Sequence, residues 1–300
     1  MVVGDTRRGG RPLALRSGFV DVGTLRLHHT FAGRGAPAIV FVHGLGSSGY
    51  IEWRFNLSKL ARRHRVLAPD LPGFGRSAKP AEGYGVSLFA RSLEGYLRAL
   101  RLRSAVLVGA SMGGRVAMEV ALHRPELVRK LVLVNALGLG RPSLQLPYPV
   151  VMVPRVGEAV MGLLRGALRR SSGHSIRRLA RRLGFSGDLE RTMDDAYLAE
   201  LLELHEAEGY HRAYLATVRS LARPGPLAHA PDVISGLAQT GIPILLVWGA
   251  RDPLFPLEHA ERAHRDLPGS RLAVIEGAGH TPQAERPDEF NGVLDSFLRD

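Results

Sequence analysis

The chain contains no cysteine, which excludes disulfides, thiolate metal sites and a cysteine nucleophile together. Lysine is almost as scarce: Lys59, Lys79 and Lys130 are the only ones, so the formal charge of +12 is carried by arginine. The skew pervades the chain and comes with no nucleic-acid-binding module, so nucleic acid is not expected as a partner. Arg165, Arg169, Arg170, Arg177, Arg178, Arg181 and Arg182 do gather in the middle of the chain, where a weak attraction to anionic interfaces is expected instead. No apolar run is long enough to cross a bilayer, and Met1 to Pro12 is Arg- and Gly-rich without the apolar stretch of a secretory signal. A cytoplasmic protein without stable membrane insertion is the expectation. No H-E-x-x-H or comparable ligand spacing occurs, and neither a metal nor a cofactor is expected.

What is present reads as α/β. Short apolar runs at Ile39–Val42, Ala105–Val108, Leu131–Val134, Ile244–Trp248 and Leu272–Ile275 alternate with helix-like segments, the signature of a mostly parallel sheet flanked by helices. Between about Gly138 and Asp232 the strand signals vanish. Helical spacing takes over there, as in Ile176, Leu179, Ala180 and Leu183, and again in Tyr210, Tyr214, Val218 and Leu221. So long a stretch cannot be a bare loop, which divides the chain into a core, 1–137 and 233–300, and a helical insertion, 138–232.

Gly109-Ala110-Ser111-Met112-Gly113 follows one buried run and precedes a helix-like segment. A serine between glycines at such a turn sits on a sharp bend with its hydroxyl projecting, the arrangement of a nucleophile elbow. A hydroxyl is a poor nucleophile at neutral pH and needs a base to take its proton. Of the twelve histidines, His280 alone follows an apolar run through a Gly-x-Gly bend. His28 and His29 fall in an early strand, and His64, His123, His174, His205, His211, His229, His259 and His264 lie in contexts that suggest the surface. The base in turn needs a carboxylate to fix its tautomer and balance its charge. Asp252, just past Ile244–Trp248, fits; the preceding strand ends in Asn135, which cannot be charged, and Asp70 enters a rigid Leu71-Pro72-Gly73 turn where capping of backbone amides suits it better. Charge building on an attacked carbonyl oxygen requires backbone donors, for which the N–H groups of Met112 and Leu45 are placed, Leu45 lying in His43-Gly44-Leu45-Gly46 after Ile39–Val42.

His43-Gly44-Leu45-Gly46, Asp70-Leu71-Pro72-Gly73-Phe74-Gly75-Arg76-Ser77, the Ser111 elbow, Gly249-Ala250-Arg251-Asp252 and Gly279-His280-Thr281-Pro282-Gln283 together resemble the α/β-hydrolase superfamily. The branch most resembled is that of the capped carboxylesterases and lipases, which also holds the serine C–C bond hydrolases of aromatic ring degradation. The resemblance implies the α/β-hydrolase fold, a Ser111–His280–Asp252 triad and a helical cap at 138–232 seated over Ser111. Dehalogenases and epoxide hydrolases of this fold carry aspartate at the elbow, and the C–C hydrolases usually carry asparagine before the serine and tryptophan after the histidine. Here those places hold Ser111, Ala110 and Thr281, so carboxylic ester hydrolysis is expected, with C–C cleavage as the alternative. His43 is expected to shape its loop by hydrogen bonding rather than to act as a second base, and the expected pocket residues are His43 and Gly44 together with Tyr148, Val151 and Met152 from the apolar stretch Leu146 to Val153, which could equally serve only to pack the cap. A competing reading takes Gly44-Leu45-Gly46-Ser47-Ser48-Gly49 with Asp70 as an NAD-binding fingerprint, but it leaves the elbow, Asp252 and His280 without purpose.

Overall fold

The computed structural model describes residues 14–143, 148–182, 188–222 and 230–300. Eight strands form one sheet: β1 (Arg16–Val22), β2 (Leu25–Ala32), β3 (Ile39–Val42), β4 (Val66–Pro69), β5 (Ala105–Ala110), β6 (Val128–Val134), β7 (Ile244–Gly249) and β8 (Arg271–Ile275). Their spatial order is β1-β2-β4-β3-β5-β6-β7-β8. β1 and β2 pair antiparallel, β2 runs antiparallel to β4, and every pairing from β4 through β8 is parallel. Parallel strands covered on both faces need apolar residues at every position rather than alternate ones. β3, β4, β5 and β7 meet that demand, being buried along their whole length.

The two faces of the sheet hold separate cores. One packs Val40, Leu107, Leu131, Leu133 and Leu246 against the helices Val86–Ala99 and Met112–His123. The other packs Phe41, Val108, Val132 and Val247 against the helices Gly49–Leu60 and Pro287–Arg299, with Trp53 and Phe290 at 6.1 Å between ring centroids. Since β3 and β5 through β8 run parallel, their C-terminal ends share one edge of the sheet, and the loops leaving that edge converge.

Between β6 and β7 the described residues form only helices: Tyr148–Met152, Val156–Arg170, Gly173–Arg182, Leu189–Thr192, Asp195–Glu206, Tyr210–Leu221 and Ala230–Thr240. The expected helical insertion is therefore helical where it is described, and Leu183 lies outside the described residues. The helix Ala230–Thr240 runs across the boundary expected at 232/233. It packs on the core: a Cβ added to Gly236 would lie 2.6 Å from Leu122 Cδ2. The insertion shares a buried apolar cluster with the core, to which it contributes Tyr210, Ala213, Leu215 and Val218, and polar side chains add to the contact. Tyr210 Oη donates to Gly46 O at 2.9 Å, Ser48 Oγ to Glu200 at 3.2 Å, and Arg76 pairs with Glu203 at 3.0 Å. Among the described residues no helix is long and apolar enough to cross a membrane.

Candidate active site

Ser111 stands between the end of β5 and the helix Met112–His123 at φ 51°, ψ −119°. A side-chain-bearing residue in such a conformation costs about 1–3 kcal/mol and persists only where its surroundings enforce it. Here they do: Ser111 N donates to Val134 O of β6 at 2.9 Å, and Ser111 O accepts from Gly114 N and Leu137 N, each at 3.0 Å. The glycines permit the close approach this requires. A Cβ on Gly113 would lie 2.2 Å from Val42 O and 2.5 Å from His43 O, and one on Gly109 would lie 2.4 Å from Gly113 O.

Asp252 follows β7 and His280 follows β8, and the two meet through His280 Nδ1 and Asp252 Oδ2 at 2.9 Å. The Asp252 side chain is fully covered, whereas that of His280 keeps 17 % exposure, so the ring is the member of the pair that can meet a substrate. Asp252 Oδ1 accepts from Leu254 N at 2.8 Å and Phe255 N at 3.1 Å, and Oδ2 also accepts from Asn135 Nδ2. Desolvation alone would raise the Asp252 pKa; the hydrogen bond and charge of His280 and the donations from Asn135 and Leu254 outweigh it and hold the carboxyl below its ordinary value. Desolvation would likewise lower His280, but the hydrogen bond and charge of Asp252, with the carboxylates of Glu52 and Glu285, carry its pKa above the ordinary 6.5.

Ser111 and His280 line one cavity of about 270 Å³, whose wall includes Gly44, Leu45 and Met112 from the core and Met152 from the insertion. Three of the expected pocket residues stand elsewhere or undescribed. His43 is fully buried rather than cavity-lining: its Nδ1 donates to Gly44 O at 2.7 Å and its Nε2 accepts from Leu71 N at 2.9 Å. Both ring nitrogens are thus spent on fixing the loop, and burial pushes its pKa down. Val151 packs into the core instead, 3 % exposed, because the short helix Tyr148–Met152 turns it inward while Met152 meets the cavity. The side chain of Tyr148 lies outside the described residues.

Asp70 is a structural cap. Its Oδ1 accepts from Gly49 N at 2.7 Å, and its Oδ2 from Arg76 N and His28 Nδ1, each at 2.9 Å. With the carboxylate 2 % exposed and so occupied, nothing remains of it to grip a ribose, and a Cβ on Gly49 would strike Ala68 O at 2.3 Å. The glycine loop therefore packs on β4, against the NAD-binding alternative. His205, expected at the surface, is 7 % exposed, beside His211 at 3.3 Å, and desolvation followed by the neighbouring His211 pushes its pKa to about 4.

Two residues that sequence reasoning passed over shape the site. Asn135, dismissed as an acid because it is uncharged, sits at φ 42° past β6, where Asn is among the few side chains that tolerate a left-handed backbone. It is fully buried and bridges both neighbouring loops: Oδ1 accepts from Gly249 N at 3.1 Å while Nδ2 serves Asp252. Glu285 accepts from Gly279 N at 2.9 Å and from Thr281 N at 3.1 Å, folding the loop that carries His280. No local pattern marks it, for it lies four residues past the N-cap Thr281, one beyond the capping-box position.

A family model described as alpha/beta hydrolase fold matches residues 37–287. An uncharacterized protein of Mycobacterium tuberculosis is 31% identical over 271 residues, covering 89% of this chain and 76% of its own. The 2-hydroxy-6-oxononadienedioate/2-hydroxy-6-oxononatrienedioate hydrolase 2 of Pseudomonas putida is 31% identical over 291 residues, covering 95% and 94%. Among solved structures, an N-acyl homoserine lactone degrading enzyme superposes with a TM-score of 0.71 at 26% identity, covering 93% of this chain and all of that one.

Proposed function

Since the chain belongs to the α/β-hydrolase fold family, we propose that it is a serine hydrolase that cleaves carboxylic esters through an acyl-enzyme. Ser111 Oγ attacks the ester carbonyl carbon as His280 takes the hydroxyl proton, and Asp252 holds the resulting imidazolium by orientation and charge. The carbonyl π electrons move to oxygen, and the Met112 and Leu45 N–H groups stabilise that oxyanion, each contributing about 3 kcal/mol to lowering the barrier. Collapse expels the alcohol, which takes the proton from His280; water then attacks the acyl-serine by the same route and releases the acid. The helical insertion acts as a cap, walling the cavity with Met152 and limiting access of water.

The single observation that carries this reading is the meeting of a strained serine turn and a carboxylate-oriented imidazole at one cavity. Among the described residues the imidazole is hydrogen-bonded to Asp252, and the contact of Ser111 Oγ with the ring is one that commonly tightens only with substrate in place. A second reading, C–C cleavage of a ring-fission diketone, is favoured by the activity of the Pseudomonas putida relative. Ala110 and Thr281 speak against it, standing where that branch usually has asparagine and tryptophan. The superposed structure is that of an N-acyl homoserine lactone degrading enzyme, and opening of such a lactone would be an ester hydrolysis within the first reading.

The test is a panel of p-nitrophenyl esters from acetate to palmitate beside a vinylogous ring-fission diketone, with Ser111→Ala as control. The expected result is ester turnover abolished by the substitution. Diketone preference would promote the second reading, and full ester turnover by pure Ser111→Ala protein would remove Ser111 from the mechanism.

A further inference from the structure

The cavity has a polar corner that the proposed acyl transfer does not use. Glu52 projects from the helix Gly49–Leu60, and Gln283 Nε2 donates to its Oε1 at 2.6 Å. Gln283 is 1 % exposed, is anchored by Asn56 Nδ2 donating to its backbone oxygen at 3.1 Å, and has an Oε1 with no hydrogen-bond partner. Because the amide nitrogen is committed to the carboxylate, the atom left over is an acceptor. Both residues line the cavity. The corner lies beside the nucleophile: a Cβ on Gly44 would sit 3.3 Å from Ser111 Cβ and 3.9 Å from Glu52 Oε2.

A buried acceptor left unpaired is costly, and Gln283 Oε1 beside the Glu52 carboxylate, whose Oε1 already accepts from Gln283, defines what completes the corner. Arg54 lines the same wall and has an unpartnered Nε, but its terminal nitrogens are spent on Ile51 O, at 2.8 Å, and Thr192 O, and its guanidinium lies over Tyr197 at 5.0 Å. It ties the insertion to the core rather than neutralising Glu52.

We propose that Glu52 and Gln283 form a subsite for a hydrogen-bond donor, so that the preferred ester carries a hydroxyl or N–H a few bonds from its reacting carbonyl and one with a carboxylate at that place is rejected. A donor completes a charge-assisted hydrogen bond to Glu52 and satisfies Gln283 Oε1. An anion meets like charge in a confined site, which discriminates by repulsion. The inference rests on the ester reading for the identity of the reacting group, and names the substrate class on that reading.

Four substrates test it: ethyl octanoate, ethyl 3-hydroxyoctanoate, ethyl 3-carboxyoctanoate, and 2-hydroxyethyl octanoate, which moves the hydroxyl to the alcohol side. Ratios of kcat/KM within one protein cancel any general loss. In the wild type one of the two hydroxylated esters is expected to exceed ethyl octanoate by about tenfold, and the carboxylated ester to fall below it by at least as much. Glu52→Gln is expected to shrink both ratios to within about threefold, and Gln283→Met to shrink the hydroxyl advantage alone. Equal rates on plain and hydroxylated esters in the wild type, preference for the carboxylated ester, or ratios unmoved by Glu52→Gln would each overturn the subsite. Calorimetric titration of Ser111→Ala with octanamide, 3-hydroxyoctanamide and 3-carboxyoctanamide reads the same order without turnover. If that order appears and no ester is hydrolysed, the subsite stands and the ester reading falls; if esters are hydrolysed and neither ratios nor affinities show the order, the subsite falls and the ester reading stands.

Discussion

β5 and β7 are buried at every residue, and the loops leaving them hold Ser111 and Asp252 by backbone hydrogen bonds to neighbouring strands. The helices Val156–Arg170 and Gly173–Arg182 of the insertion instead expose Leu163 at 76 % and Leu179 at 47 %. Their charges are engaged mainly at the surface, as in Arg169 with Glu206 at 2.6 Å and Arg219 with Glu158 at 2.7 Å, pairs each worth about 0–1 kcal/mol. One region holds its turns by backbone hydrogen bonds to neighbouring strands, while the other packs one apolar face on the core and leaves its outer face to solvent. The residues of the proposed triad therefore belong to loops held directly by the sheet. The insertion supplies the far wall of the cavity, Met152, Met193 and Tyr197 among it, which suits a role in shaping what enters.

The sharpest way to break that comparison is to disturb the carboxylate in the rigid region. Asp252→Asn keeps size and removes charge, and is expected to lower kcat by about 10⁴-fold while leaving the thermal midpoint close to that of the parent. Asn135→Gly, which keeps the left-handed backbone and deletes the amide, is expected to cost about tenfold through a less firmly oriented Asp252. A near-normal rate for Asp252→Asn would move the orienting acid elsewhere. An unaltered rate for Asn135→Gly would leave the amide a purely structural bridge between the loops.

Stability gives the next contrast. Leu133 in β6 is fully buried, so Leu133→Ala is expected to destabilise by about 2–5 kcal/mol through lost burial and the cavity left behind. Leu163→Ala, at a site open to solvent, is expected to stay within about 0.5 kcal/mol. Denaturant unfolding of both variants measures this directly. Comparable losses at the two positions would mean that the exposed face of the helix Val156–Arg170 is covered in solution.

The same contrast explains what the amino-acid order disclosed. Apolar runs for β3, β5, β6 and β7 were readable because strands buried on both faces leave uninterrupted Val, Ile and Leu, and the elbow was readable because glycines are forced where a helix start presses on β3. Asp252 and His280 were legible as residues placed just past strand ends. Asn135 and Glu285 were not, since an amide that orients another side chain, and a carboxylate that gathers loop N–H groups away from the capping-box position, have no local pattern of their own. His43 was assigned to the pocket because a motif fixes its place in the chain and not the direction of its ring, which in fact turns to Leu71. The insertion was readable only as helices. Which residues line the cavity, Met152 rather than Val151, depends on how a five-residue helix is rotated, and neither residue differs enough in polarity to reveal it.

The smallest effect separates two carboxylates acting on one imidazole from the two sides of the cavity. As the base, His280 must be neutral, and its pKa is carried above 6.5 chiefly because Asp252 outweighs desolvation, with Glu52 adding to the rise. As pH falls through that raised value the ring becomes a cation and can no longer accept the Ser111 proton, so kcat/KM should decline on the acid side with a midpoint above 6.5 and be constant over the neutral range above it. In Asp252→Asn the main raising influence is gone while desolvation remains, so the midpoint of the residual activity should move to lower pH. Glu52→Gln should move it the same way by less, because its carboxylate acts by charge alone without touching the ring. A pH–rate profile of the three proteins on one neutral ester measures all of this. A parent midpoint at or below 6.5, or a larger displacement in Glu52→Gln than in Asp252→Asn, would mean that the ring answers to a different partner from the one its Nδ1 faces.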